Sequence, residues 1–347
     1  DMKFTKLIAA SAVALATALP ASAQELSFAN FTPPFHTVNA SVMEKLNTIL
    51  SEATNGEVTV RGYHGGELGA GPVEQYVRVV QGVADMAWGL PGYTSSQFEK
   101  TMIVELPGTL TNEDAGYAAM WAAYDDHLAG EFPGTVPVAL WTSEPNVFIM
   151  RDAVIRTPAD LAGLKIRVAG ATAADVATAL GATPVQMPIN QVYNALQTGL
   201  IDGVITGAST LNDFKLDEVA NSYTIGANLG RLSFYAVMNE GTYNGLSDAA
   251  KAALDNSGNQ TVSQSAEDAW NATADSGVAT ARTLSENTFV DLTEAEAAVF
   301  ADAIAAVTGA YVDGVGGADD NEGRRSKGRH HWRWRHGQQL GAVQQGV

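Results

Sequence analysis

Arg167 is the residue in this chain whose type and setting point most directly to chemistry. It lies in Gly163-Leu164-Lys165-Ile166-Arg167-Val168, a short apolar run preceded by the helical turn Thr157-Pro158-Ala159-Asp160-Leu161. The run reads as a buried strand, and a guanidinium is rarely buried unless it is paired. A planar, permanently charged fork at the mouth of a strand suits two-point capture of a carboxylate. The competing reading is an ion pair with one of the chain's own Asp or Glu side chains. Catalytic motifs are missing: there is no Gly-x-Ser-x-Gly elbow and no His-Glu-x-x-His. His36, His64 and His127 are far apart in sequence. The absence of cysteine excludes a disulfide scaffold, a thiolate zinc site and a cysteine nucleophile. Gly66-Glu67-Leu68-Gly69-Ala70-Gly71 lacks the spacing and the Lys-Ser/Thr ending of a phosphate loop. Nothing in the sequence requires a cofactor or a metal.

The elements that must position Arg167 follow an α/β alternation. Leu26–Asn30, Val58–Tyr63 and Asp85–Trp88 read as strands. Between them fall helices at Thr37–Ala53, where Val38, Val42, Leu46 and Leu50 share one face, and from Pro72 through Val83. The alternation restarts after Trp141, with strands at Asn146–Met150, Lys165–Val168, Val185–Gln186, Val204–Thr206 and Ser222–Ile225, and helices at Ala171–Leu180 and Gln191–Gly199. Ser233–Asn239 reads as a strand returning to the first lobe. Ser247 is the N-cap of a long Ala-rich helix, and Thr293-Glu294-Ala295-Glu296 opens the last one with a capping box. This pattern predicts an α/β fold: two lobes of parallel strands covered by helices, a central cleft, and a long helix spanning the lobes. The expected division is 24–146 with 232–275 for one lobe, and 147–231 with 276–320 for the other.

Three stretches carry a family resemblance: Tyr63-His64-Gly65-Gly66-Glu67-Leu68-Gly69, Asp85-Met86-Ala87-Trp88-Gly89 and, most specifically, Gly163–Gly203 with Pro188-Ile189-Asn190-Gln191-Val192-Tyr193. They resemble the solute-binding proteins of tripartite ATP-independent periplasmic (TRAP) transporters, of the DctP type. The resemblance implies capture of an organic acid by hinge closure and delivery to TRAP membrane subunits. Alternatives are an enzyme acting on a small acid and a ligand-sensing periplasmic protein. By the same resemblance Arg167 would hold the carboxylate, and Phe31, Phe35, His36 and Trp88 would approach the ligand from the first lobe. Asn190 would close over the ligand or cap its helix. Tyr235 could donate its hydroxyl or pack in a core. Sialic-acid-binding members have a further cleft arginine, for which Pro145-Asn146-Val147 offers no match, and their downstream Asn falls at Thr206. That departure points to a smaller or less polar acid. With Phe148, Trp88 and Phe31, an aromatic or branched monocarboxylate is expected.

Length and composition fit this reading. The 347 residues are 46% hydrophobic, enough for two lobes with real cores. A net charge of −18 speaks against nucleic-acid binding, and it makes each arginine informative. Lys3, Lys6, the apolar run Leu7 through Leu19 and Ala21-Ser22-Ala23 read as a cleaved signal peptide, 1–23, and so as a periplasmic address. Asp1, ahead of Met2, reads as an addition. No later stretch is expected to be long and apolar enough to cross a bilayer. From residue 321 the acidic chain turns basic, with six Lys and Arg and three His; 321–347 reads as a non-native or disordered extension.

Overall fold

The computed structural model describes residues 23–111 and 115–323, so the leader and most of the basic extension lie outside the described residues. The strands are β1 (Gln24–Ala29), β2 (Val58–Tyr63), β3 (Met86–Gly89), β4 (Thr135–Thr142), β5 (Asn146–Met150), β6 (Lys165–Val168), β7 (Thr183–Gln186), β8 (Gly203–Gly207), β9 (Ser222–Ile225), β10 (Ser233–Asn239) and β11 (Thr288–Asp291). The helices are α1 (Glu44–Ala53), α2 (Gln75–Val80), α3 (Gly116–Ala123), α4 (Ala171–Ala179), α5 (Val192–Thr198), α6 (Thr210–Asp213), α7 (Glu240–Gly245), α8 (Asp248–Ala253), α9 (Asn259–Ala281) and α10 (Glu294–Gly323).

Two sheets result, ordered β2-β1-β3-β10-β4 and β11-β9-β5-β8-β6-β7. Each anchors one lobe. β10 runs antiparallel to β3 and β4, and β5 antiparallel to β8 and β9, so neither sheet is wholly parallel. Both exceptions lie at crossings between the lobes: β4 leads into β5 through 143–145, and β9 into β10 through 226–232. A third crossing joins α9 to β11.

Local sequence explains the elements. Val38, Val42, Leu46 and Leu50 are all fully buried, as their four-residue spacing requires. Asn55 and Gly56 end α1 with positive φ. Gly65, Gly66 and Gly69 turn the chain with φ of 61°, 82° and 130°, conformations open to glycine. The Ser247 side chain caps α8, which continues into α9 through a π turn at Leu254–Gly258. α9 packs on β4 of the first sheet and on α6 beyond the second, so this helix spans the lobes. Thr293 and Glu296 form the expected reciprocal cap of α10.

One expectation is corrected. Residues Glu294–Gly316 of α10 are long and apolar enough, by length and composition alone, to cross a membrane. The sequence reading missed this because the apolar positions are mostly alanine. Phe300 and Ile304 of this helix are buried against the second lobe.

Candidate functional site

The carboxyl ends of β3, β6 and β8 converge on one cavity between the sheets, of about 420 Å³ counting the space open to solvent. Open α/β sheets bind ligands at this end of their strands. Of the residues singled out in the sequence as ligand contacts, Arg167, Thr206, Trp88 and His36 line it.

Arg167 is 1% exposed. β6 is central in its sheet, between β7 and β8, and this pairing fixes the guanidinium at the cavity. Its Nε donates to the carbonyl of Met187 at 2.9 Å. Among the described residues no carboxylate pairs with it, and Nη2 has no hydrogen-bond partner. The ion-pair alternative therefore finds no partner. From across the cleft the Tyr93 hydroxyl meets the guanidinium, and it also accepts from the backbone N–H of Ile189 at 3.0 Å. Burial raises the Tyr93 hydroxyl pKa, and the nearby Arg167 charge pulls it back. Burial likewise lowers the Arg167 pKa, but from so high a start that the group stays cationic. Beside it, buried Thr206 has a hydroxyl with no partner.

The first lobe supplies an aromatic wall. Trp88 stacks on Phe31 at 4.8 Å between centroids, and its indole N–H donates to Asn30 Oδ1 at 2.9 Å. That bond points its polar edge away and leaves a ring face for contact. Phe31 stands behind Trp88 rather than on the cavity surface. Phe234 and Trp270 continue the wall, their centroids 5.3 Å apart. His36 packs edge-on to Trp270 and Phe214. Its Nδ1 accepts from the backbone N–H of Val38, which assigns the ring proton to Nε2. Asp213, 3.6 Å from Nε2, would favour an imidazolium, but burial is the stronger influence and lowers the pKa to about 3.

Besides Phe31, four expected contacts are not brought to the cavity. Phe35 is 62% exposed. Phe148 points to the far face of its sheet and packs on Phe300 at 5.8 Å. Tyr235 faces the outer core of the first lobe, stacked on Phe98 at 5.4 Å. Its neighbour Phe234 takes the cavity side, because successive residues of a strand face opposite ways. Asn190 is exposed within the short turn Ile189–Gln191 and caps nothing; Ile189 lines the cavity in its place. Asn239, at the end of β10, caps α7 by accepting from the N–H of Thr242. Sequence reasoning missed Tyr93, Ser143, Ser209, Asp213, Phe214 and Trp270, all on the cavity wall. None of them stood out: Asp213, for instance, lies in Leu211-Asn212-Asp213-Phe214-Lys215-Leu216, where its acid is one of three polar residues.

Two lobes joined by three crossings, with a buried cationic and aromatic cavity between them, define a solute-binding protein. Residues 28–313 match the family described as bacterial extracellular solute-binding protein, family 7, and the chain belongs to that family. It is similar to the C4-dicarboxylate-binding periplasmic protein DctP of Rhodobacter capsulatus, 25% identical over 254 residues, which cover 72% of this chain and 75% of that one. It is also similar to a TRAP solute binding protein from Rhodoferax ferrireducens T118 solved with copurified benzoate. That match is 27% identical with a TM-score of 0.77, covering 85% of this chain and 92% of the other. A marine metagenome TRAP solute binding protein specific for aromatic acid ligands, solved with metahydroxyphenylacetate, is 26% identical with a TM-score of 0.80, covering 85% and 94%. The family is one of binding proteins that act outside the cytoplasm.

Proposed function

We propose that this chain captures a small monocarboxylate in the periplasm, after removal of residues 1–23, and hands it unchanged to TRAP membrane subunits. One observation carries the reading: Arg167 is buried at the cavity with no acidic partner among the described residues and with Nη2 unbonded. An uncompensated buried charge is costly, and a ligand carboxylate supplies the missing partner. Arg167 is the carboxylate anchor, Thr206 adds a hydroxyl, and Trp88 and His36 from the sequence reading, with Phe234 and Trp270, hold the apolar body. The wall is aromatic and Asp213 stands in the same cavity, which disfavours a second carboxylate. An aromatic monocarboxylate therefore fits better than a dicarboxylate. Relatives solved with benzoate and with metahydroxyphenylacetate support that choice.

The experiment is mass spectrometry of the acid released when the purified protein is denatured, followed by calorimetry with that acid. Arg167→Ala is expected to weaken binding by roughly 2–5 kcal/mol, as when one member of a buried charge pair is lost. Arg167→Lys restores only part, since an ammonium cannot reproduce the two-point fork. A folded Arg167→Ala variant that binds within about twofold of the parent would refute the assignment. Recovery of a chemically altered ligand after incubation would refute simple carriage.

A further inference from the structure

The cavity has a second polar end. Asp213, the last residue of α6, lines it together with Arg167 and is 5% exposed. Its Oδ1 is occupied: the Thr37 N–H and hydroxyl each donate to it at 3.1 Å. Among the described residues no donor reaches Oδ2. The nearest group is His36 Nε2, 3.6 Å away and beyond hydrogen-bond length. The other acid close by, Glu144, accepts from the Ser209 N–H through Oε1, and its Oε2 makes no hydrogen bond to Asp213. A buried carboxylate oxygen without a donor is costly in a folded protein. Here the Asp213 side chain lines the same cavity as Arg167.

We propose that Asp213 reads the end of the ligand opposite its carboxylate, so that the preferred ligand is an aromatic acid carrying a hydrogen-bond donor there, a hydroxyl or an ammonium. This rests on the carboxylate reading above and narrows it. A second carboxylate would meet Asp213 as a like charge. A bare apolar edge would leave Oδ2 dry and unbonded. A donor satisfies it, and a site with a buried polar group to satisfy discriminates strongly against analogues that lack the matching group. Aromatic faces around Asp213, from His36 and Phe214, hold the ligand body while the donor turns to Oδ2.

The test is calorimetry with benzoate, 3- and 4-hydroxybenzoate, and 3- and 4-(aminomethyl)benzoate, on the parent and on Asp213→Asn. The variant keeps an oxygen for Thr37 and places an amide NH₂ where Oδ2 stood. At least one donor-bearing acid should bind the parent about tenfold or more tighter than benzoate. In Asp213→Asn that preference should fall to within about twofold. A hydroxybenzoate as the winner identifies a hydroxy acid, and an aminomethylbenzoate a zwitterion. Thr37→Val removes a contact to Oδ1 only and should keep the preference. Its loss in Thr37→Val to the same degree would show that Asp213 merely ties the segment down, and would overturn the proposal. So would benzoate binding as tightly as the other four acids, or a preference that survives Asp213→Asn. Benzoate binding that disappears in Arg167→Ala, without any donor preference, would leave the carboxylate reading standing and sink this one alone. Binding of none of the five would sink the aromatic-acid reading together with it.

Discussion

At the residue scale buried Arg167 shares the cavity region with buried acids, and their titration is a separate handle on the site. Glu144 lies in the crossing 143–145 and is 5% exposed. Its Oε1 accepts from the Ser209 N–H at 2.7 Å, and no protein donor reaches Oε2. Burial pushes its carboxyl up to about 7 against the lowering effect of Ser209, and nearby Asp213 pushes in the same direction. Asp213 itself is raised to about 6, again by burial, against the Thr37 hydrogen bonds. A carboxyl whose folded pKa exceeds its unfolded value keeps a proton in the native state that the unfolded chain releases. Its stabilising contribution is complete below the unfolded pKa and is lost as pH rises toward the folded one. For Glu144 the window runs from the ordinary glutamate value up to about 7. His36, lowered to about 3, acts in the opposite sense over the acid range, so the parent's own pH profile is a sum of opposing trends. Comparison with Glu144→Gln cancels the shared groups. The variant should match the parent near pH 5 and exceed it at pH 8 by up to roughly 3 kcal/mol. Thermal unfolding of both proteins at pH 5, 6.5 and 8 measures the gap, and a gap that does not grow with pH contradicts the burial of this charge.

At the element scale, the lobes come into close contact where the turn after β3 meets the segment between β6 and α4. A Cβ built on Gly170 would stand 2.6 Å from Gly92 Cα and 2.8 Å from its carbonyl oxygen. Gly170 is extended, with φ of −156°, so alanine there meets no backbone strain and acts by contact alone. Gly170→Ala should fold normally and bind about tenfold or more weakly, because the lobes cannot come together over the ligand. Gly163→Ala is the contrasting variant: at φ of 78° with open space around it, it should cost about 1 kcal/mol of stability and leave affinity alone. Equal affinity of Gly170→Ala and parent would remove this contact from the closure. These elements also show how far the sequence could be read. The order of helices and strands was legible, since caps and periodicity are local. β4 and β11 were not, being short or apolar runs without strand-like alternation. Arg167 stood out because a charge in an apolar strand is conspicuous. Phe148 and Tyr235 were misplaced because both faces of their strands are buried. In β5, Val147 and Ile149 join one core while Phe148 and Met150 join another, so nothing in the residue types says which face meets the cavity.

At the scale of the whole molecule, contacts from both lobes enclose the cavity, and only the three crossings connect the lobes covalently. The Tyr93 hydroxyl meets the Ile189 N–H, Thr37 meets Asp213, and the Thr172 hydroxyl donates to Glu105 at 2.6 Å. With Arg167 at 1% exposure, a ligand reaches the guanidinium only when such contacts part. Each is a single hydrogen bond or a small group of them, worth about 1 kcal/mol net apiece, so separation is accessible. Opposing closure is the charge of −18, which sets two acidic lobes against each other. A bound acid lying between Arg167 of one lobe and the aromatic wall of the other adds contacts that exist only when the lobes are together, and so shifts the population toward the closed form. Small-angle scattering should therefore show a smaller radius of gyration with saturating ligand than without. The difference should be larger at low ionic strength, where inter-lobe repulsion is least screened. A radius unchanged by ligand at either salt concentration would mean that the lobes do not move, and that the ligand enters by a local opening near Tyr93 and Ile189 instead.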